Sequence, residues 1–202
     1  MRKKISYFIS IVLLAAIVVI AICITPIICD GYHMYKKAIT SVSLNEVITK
    51  VRNDDSYIKL DDISDEYLKA VVQSEDKRFY YHIGIDPIAT VRAFYNNIKS
   101  QSFLQGGSTI TQQLAKNLYF SFEKKMDRKV AELFVAFDLE RLLTKDEILE
   151  LYCNVTYFGQ NCVGLKEAAN HYYGVEPKAL STKQAAALAH ALRSPNSFNP
   201  KK

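Results

Sequence analysis

This chain reads as an all-α domain set behind one transmembrane helix, and three features of its 202 residues say so. A long stretch near the N-terminus, Ile5 to Cys29, carries no charged residue. From Ser64 onward, apolar residues recur at the i, i+3, i+4, i+7 spacing of one helix face. Ser or Thr followed three residues later by Glu or Gln, the signature of a capping box, recurs at Thr109, Thr144 and Ser181.

The apolar run comes first. As a helix at about 1.5 Å per residue it spans roughly 37 Å, against about 30 Å of bilayer hydrocarbon. Arg2, Lys3 and Lys4 precede it, so the positive-inside rule places residues 1–4 in the cytoplasm and the rest of the chain outside. The run is long for a signal peptide and no Ala-x-Ala site follows it, which favours an uncleaved anchor over 5–29. Pro26 near its outer end is tolerable in a spanning helix. Residues 30–55 then read as a juxtamembrane stalk, and 56–202 as the domain, with a partly extended lead-in around Ser56–Leu60.

Ser64 caps a helix reaching about Asp76, on which Leu68, Val71, Val72 and Glu75 share a face. Asp86-Pro87 opens the next, with Pro87 at its first position and Ile88, Val91, Arg92 and Tyr95 along one side. Ser102 to Gly107 is a loop holding Phe103, Leu104 and a glycine pair. Thr109-x-x-Gln112 starts another helix. Arg128 to Leu143 is apolar almost all round, as a central buried helix would be. Thr144-x-x-Glu147 caps the next, Lys166 to Tyr173 stops at Gly174, and Ser181-x-x-Gln184 opens the last, which ends at Leu192 before Pro195.

The formal charge is +5, and three of the 26 basic residues lie ahead of the anchor. The domain is therefore nearly balanced, which does not point to nucleic acid, and any cationic character is local. Cys23 and Cys29 lie in or beside the anchor. Cys153 and Cys162 lie in the domain, where an exported chain could join them. The apolar helical surroundings of Cys153 favour a small buried thiol instead. No metal-ligand spacing is present.

Two carboxylates stand out because they fall on apolar helical patterns, where a charge is costly without a partner or a job. Glu75 ends the stripe of the Ser64 helix, so it either pairs with Lys77 or Arg78 or faces inward, where desolvation makes a carboxylate a better proton acceptor. Glu132 sits one turn after Arg128 and pairs with it whatever else it does. Between them, Gly106-Gly107-Ser108-Thr109 puts glycines and hydroxyls at a helix N-terminus, a place where free N–H groups suit an anion. Gln112 and Gln113 are consecutive, so one must face inward. Lys116 follows, and Lys124, Lys125, Arg128 and Lys129 form a basic cluster that suits a lipid pyrophosphate. Phe103, Leu104, Tyr119, Phe120 and Phe122 are apolar residues in expected loops, able to dip into a bilayer. His82 reads as a structural hydrogen bonder rather than a base.

Five blocks in order resemble glycosyltransferase family 51, the peptidoglycan glycosyltransferases. They are Glu75-Asp-Lys-Arg-Phe-Tyr-Tyr-His-Ile-Gly84, Gly106-Gly-Ser-Thr-Ile-Thr-Gln-Gln113, Arg128-Lys-Val-Ala-Glu132, Lys145-Asp-Glu-Ile-Leu-Glu-Leu-Tyr-Cys-Asn154, and Ala185 to Ala189 with Ser194-Pro195. The resemblance covers about residues 56 to 200 and is to the monofunctional form. It implies a lysozyme-like fold with a membrane-facing jaw lobe, and polymerisation of lipid II into β-1,4-linked glycan strands in cell wall biogenesis. The implied partners are a lipid II donor, a growing glycan-lipid acceptor, the membrane and other cell-wall synthesis proteins.

The resemblance also implies roles. Glu75 would be the base that deprotonates the acceptor 4-hydroxyl, with inversion at the donor and release of undecaprenyl pyrophosphate. Glu132 would be the second catalytic acid, on the donor pyrophosphate side, working through a basic residue or a divalent ion such as Mg or Mn. Lys116, Lys124, Arg128 and Lys129 would lie near the donor phosphates. Asp76, Arg92, Gly107, Ser108, Thr109, Gln112 and Gln113 would line the substrate cleft. The chain departs from the family at Cys153, for a usual leucine, and at His190, for a common glycine. The alternatives from other classes are a lysozyme-like glycan hydrolase and a non-catalytic lipid II-binding protein.

Overall fold

The structure, a computed structural model, describes residues 2–100, 106–120 and 126–197. Helix α1 (Arg2–Ser41) is 40 residues long and runs through Pro26 without a break. It is long and apolar enough to cross a membrane. It does not give way to a stalk: it continues to Ser41, and α2 (Leu44–Arg52) follows directly. The signal for α2 was in the sequence. Ser43 Oγ accepts from the Glu46 N–H while the Glu46 carboxylate accepts from the Ser43 N–H at 2.9 Å, a complete capping box.

The remaining helices follow the predicted starts. They are α3 (Asp65–Glu75), α4 (Pro87–Ser100), α5 (Ile110–Tyr119), α6 (Met126–Leu142), α7 (Lys145–Val155), α8 (Leu165–Tyr173) and α9 (Thr182–Ala191). Ser64 caps α3. Thr109, Thr144 and Ser181 each close the box expected of them. Gly174 ends α8 in the left-handed conformation. Among the described residues the only extended pairing is one isolated bridge between Tyr157 and Val163.

Helix α6 is the hub, packed between α1 and α5, with α5 also on α7, and α3 on α9. Ala131, Val135, Ala136 and Leu139 of α6 are fully buried, as are Ile110, Leu114 and Ala115 of α5. The small residues of α6 let its neighbours approach closely. Cys153 and Cys162 are both buried free thiols. His190 lies exposed on α9, so the departure there costs no packing. Tyr119 and Phe120 are not a bilayer-facing loop. Tyr119 ends α5 and donates its hydroxyl to the Val42 carbonyl at 3.0 Å, and Phe120 packs against the core. Phe103, Leu104 and Phe122 lie outside the described residues.

The fourth block is a structural clamp. Glu150 of α7 accepts from the Tyr57 hydroxyl and, at 2.7 Å, from the Leu60 N–H. The Asn154 carboxamide accepts from the Ile58 N–H and donates to the Ile58 carbonyl, both at 2.8 Å. The extended lead-in is thus hydrogen-bonded like a strand, but to side chains.

The grip of α1 on α6 explains Gly31. A Cβ there would sit 2.5 Å from Val130 Cβ and 2.6 Å from the Asp127 carbonyl oxygen. Below this contact, Tyr32 and Tyr35 pack on Phe134 with ring centroids 5.3 Å away, and the Tyr35 hydroxyl donates to Asp138 at 2.6 Å. Gly31→Val is expected to force α1 off α6 and destabilise the protein by about 1–3 kcal/mol. Thermal melts in detergent should show this, with Asp30→Ala, on an exposed neighbour, melting like the wild type.

Candidate functional site

Asp76 assembles the site. It is the C-cap of α3, and its carboxylate accepts from the Ile110 N–H at 3.0 Å, in the first turn of α5. The same oxygen meets His82 Nε2 at 2.9 Å. His82 Nδ1 accepts from the Gly84 N–H at 3.2 Å, which leaves the ring proton on Nε2 for Asp76. His82 is the structural hydrogen bonder its position suggested. Asp76 lies at the cleft wall, but its carboxylate is 2% exposed and already serves two donors. It lines the cleft, as expected of it, and ties α3 to α5 there.

This bolt between α3 and α5 turns Glu75 towards Gln113. Gln113 Nε2 donates to Glu75 Oε2 at 2.9 Å, and Gln113 Oε1 accepts from the Tyr152 hydroxyl at 3.0 Å. The other Glu75 oxygen lies 3.4 Å from the Ser74 hydroxyl and 3.7 Å from Arg193 Nε. Of the two glutamines, Gln113 is therefore the one that enters the site. Gln112 closes the capping box instead: its Oε1 accepts from the Thr109 N–H at 2.9 Å, and it does not line the cleft.

The same bonds correct the anion reading of the α5 N-terminus. The N–H groups of Thr109, Ile110 and Gln112 are satisfied by Gln112, Asp76 and Thr109 respectively. A phosphate there would have to displace side chains. The glycine pair also divides. A Cβ on Gly107 would stand 3.1 Å from Thr90 Cα and 3.3 Å from Ala93 Cβ of α4, whereas among the described residues nothing lies within 4 Å of one on Gly106. Gly107 is thus set by close packing on α4.

Positive charge is supplied by side chains from α5 and α6. Arg128 Nε pairs with Glu132 Oε1 at 3.0 Å, and Lys129 Nζ with Glu132 Oε2 at 2.7 Å. Lys129 also donates to Ser108 Oγ at 2.9 Å. Glu132 itself is 0% exposed and lies behind the cleft wall. Its geometry is that of a carboxylate aiming two cations, not of a group that meets substrate. Lys116 joins them from α5. Burial lowers its pKa, the Lys129 and Arg128 charges lower it further, and Glu132 opposes both. An anion in front of this group would relieve that mutual repulsion.

Together these residues face a cleft of about 890 Å³. Glu75, Asp76, Arg92, Gly107, Ser108, Thr109, Gln113, Lys116, Arg128 and Lys129 all line it. Lys124 lies outside the described residues. Arg193 lines it too and was not anticipated; it follows α9 and reaches Glu75 only because α9 packs on α3.

Asp86 lines the cleft as well. It accepts from Arg78 Nε at 2.8 Å and, as cap of α4, from the Ala89 N–H at 2.9 Å. Burial pushes its carboxyl pKa up, but the Arg78 guanidinium and the Ala89 N–H outweigh this and hold it below the usual range. A folded-state pKa below the unfolded one stabilises the protein above the ordinary carboxylate range and is lost as pH falls through the folded value. Asp86→Asn should therefore cost about 1.5–3 kcal/mol at neutral pH, by loss of charge-assisted bonds. Urea melts should show the deficit shrinking below about pH 4.

A family model described as transglycosylase matches residues 42–202. Penicillin-binding protein 1A of Vibrio cholerae is 46% identical over 143 residues, which is 71% of this chain and 17% of that protein. Penicillin-binding protein 1A of Aquifex aeolicus is 42% identical over 144 residues, 71% of this chain and 20% of that one. A Cupriavidus necator protein with the provisional name of transglycosylase is 42% identical over 155 residues, 77% of this chain and 67% of its own length. The chain thus spans only a small part of the penicillin-binding proteins it matches but most of the shorter relative. The matched region takes in α2, the α3–α5 bolt, the cation wall and the α7 clamp, and the chain belongs to the transglycosylase family.

Proposed function

We propose that this chain is a membrane-anchored peptidoglycan glycosyltransferase that polymerises lipid II into β-1,4-linked glycan. One observation carries the reading. A single cleft holds a carboxylate bound by a neutral amide, Glu75, and a wall of cations, Lys116, Arg128 and Lys129. Glu75 takes the proton of the acceptor 4-hydroxyl, whose oxygen attacks the donor anomeric carbon from the opposite face. The bond to the pyrophosphate breaks and the leaving group keeps the electron pair. A pyrophosphate leaving group needs charge stabilisation rather than a strong general acid, and the cations supply it. Glu132 holds Arg128 and Lys129 in place for this.

A divalent ion such as Mg or Mn would supply further charge stabilisation to the leaving pyrophosphate. Among the described residues no three His, Cys, Asp or Glu side chains gather as metal ligands, and the two Glu132 oxygens lie 3.0 Å and 2.7 Å from the Arg128 and Lys129 cations. Helix α1 would cross the bilayer with its N-terminus in the cytoplasm. The α4 face of Ile88, Val91, Tyr95 and Ile98, each more than 60% exposed, would lie against the lipid as the jaw. The test is incubation of the full chain with labelled lipid II, with and without Mg or Mn. Glycan polymer is the expected product; folded protein that yields none defeats the reading.

A further inference from the structure

We propose that Tyr152 is a positioning residue for Glu75, acting through Gln113 to occupy one carboxylate oxygen and leave the other turned to the cleft. This rests on the reading of Glu75 as the base.

An ionised carboxylate only accepts hydrogen bonds, whereas a glutamine carboxamide has one donating and one accepting end. Gln113 can therefore serve Glu75 only with Nε2 towards it. The far end of the amide must then meet a donor. There the Tyr152 hydroxyl lies 3.0 Å from Oε1, on a side chain with no exposure to solvent. Burial, and next the neighbouring Glu75 charge, pushes the Tyr152 phenol well above its ordinary range, so it remains protonated and donates. The polarity then runs one way, from phenol to amide oxygen and from amide nitrogen to carboxylate.

Glu75 has a competitor for its lone pairs. Arg193 Nε stands 3.7 Å from Oε1, and the Arg193 guanidinium is itself fixed by donating to the Ser74 carbonyl at 2.7 Å. A Glu75 released from Gln113 would close on this cation and offer its lone pairs to Arg193 instead of a substrate hydroxyl. Tyr152 lies behind the cleft wall and touches no reacting atom, so its effect reaches the chemistry only through Gln113.

The molecule supplies its own control. Tyr67 on α3 is also fully buried, in the same cluster, yet its hydroxyl has no hydrogen-bond partner among the described residues. Removing that oxygen breaks no hydrogen bond to Glu75.

The experiment measures lipid II polymerisation and thermal melting by the full chain in detergent. Tyr152→Phe, Gln113→Ala, their double variant and Tyr67→Phe are compared, with Glu75→Gln as reference. Tyr152→Phe should lower kcat about tenfold with KM for lipid II little changed, the mark of a misplaced catalytic group. In the Gln113→Ala background the same change should cost nothing further. Tyr67→Phe should keep wild-type kcat and melt no earlier. If Tyr152→Phe melts early, Gln113→Met tests the link from its other end and should lose at least as much kcat. Full kcat in Tyr152→Phe or Gln113→Met, or an equal loss with and without Gln113, would overturn the proposal. An active Glu75→Gln would remove the base assignment and this proposal with it. An inactive Glu75→Gln beside a fully active Tyr152→Phe removes this proposal alone.

Discussion

Glu75→Gln should reduce lipid II polymerisation by about 10²–10⁴-fold, the range a positioned general base contributes. The substitution keeps the shape of the side chain and removes only its capacity to take a proton. Glu75 is held by Gln113 Nε2 at 2.9 Å, and the carboxamide that replaces the carboxylate could still accept that bond through its own oxygen. The ion pair with Arg193, at 3.7 Å and with the guanidinium half exposed, is weak and its loss costs little. The variant should therefore melt near the wild type and still bind lipid II. Turnover and binding must be measured on the same preparation, because retained turnover in a folded variant sinks the assignment.

Glu132→Gln should fail for a different reason. Glu132 is 0% exposed and ion-paired at 3.0 Å and 2.7 Å with Arg128 and Lys129. Neutralising it leaves Arg128, itself buried, facing Lys129 and Lys116 with no compensating charge from this carboxylate. Breaking one side of a buried pair costs about 3–5 kcal/mol, or a melting temperature lower by roughly 10 °C for a chain of this size. Activity should fall as well, through weaker binding of the donor pyrophosphate. Inorganic pyrophosphate offers a direct readout: it should raise the melting temperature of the wild type more than that of the variant. A variant that melts normally and loses only kcat would make Glu132 a reacting group instead.

The two acids were legible from sequence in unequal measure. Glu75 could be found because its signal is local: it closes an apolar stripe that begins at a capping serine. The helix starts at Ser64, Thr109, Thr144 and Ser181 were legible for the same reason. Glu132 could be located, and its partner Arg128 named, from helix spacing alone. That it sits behind the wall rather than in it depends on how α5 and α6 meet, which no local pattern encodes. The choice between Gln112 and Gln113 was half legible, since the capping box claims Gln112 locally whereas Tyr152 on α7 reaches Gln113 only in the fold. Arg193 was missed because a single arginine after α9 carries no signal until α9 is seen against α3. The helix at Leu44 was missed despite a signal in plain view, Ser43-x-x-Glu46, because a polar stretch between anchor and domain reads most simply as a tether.

That last point bears on how such a molecule would meet its substrate. A tether lets a catalytic unit wander and sample heights above a surface, at an entropic cost that grows slowly with length. Here α1 runs unbroken from Arg2 to Ser41 and is clamped to α6 at Gly31, Tyr32 and Tyr35. With the N-terminal part of α1 in a bilayer, it becomes a strut. The altitude of the cleft is then set by helix rise, about 1.5 Å per residue, and its compass bearing by about 100° per residue. On the proposed reading, encounter with a lipid-borne sugar would be reduced to diffusion in a plane, with the cleft held at one height and one bearing.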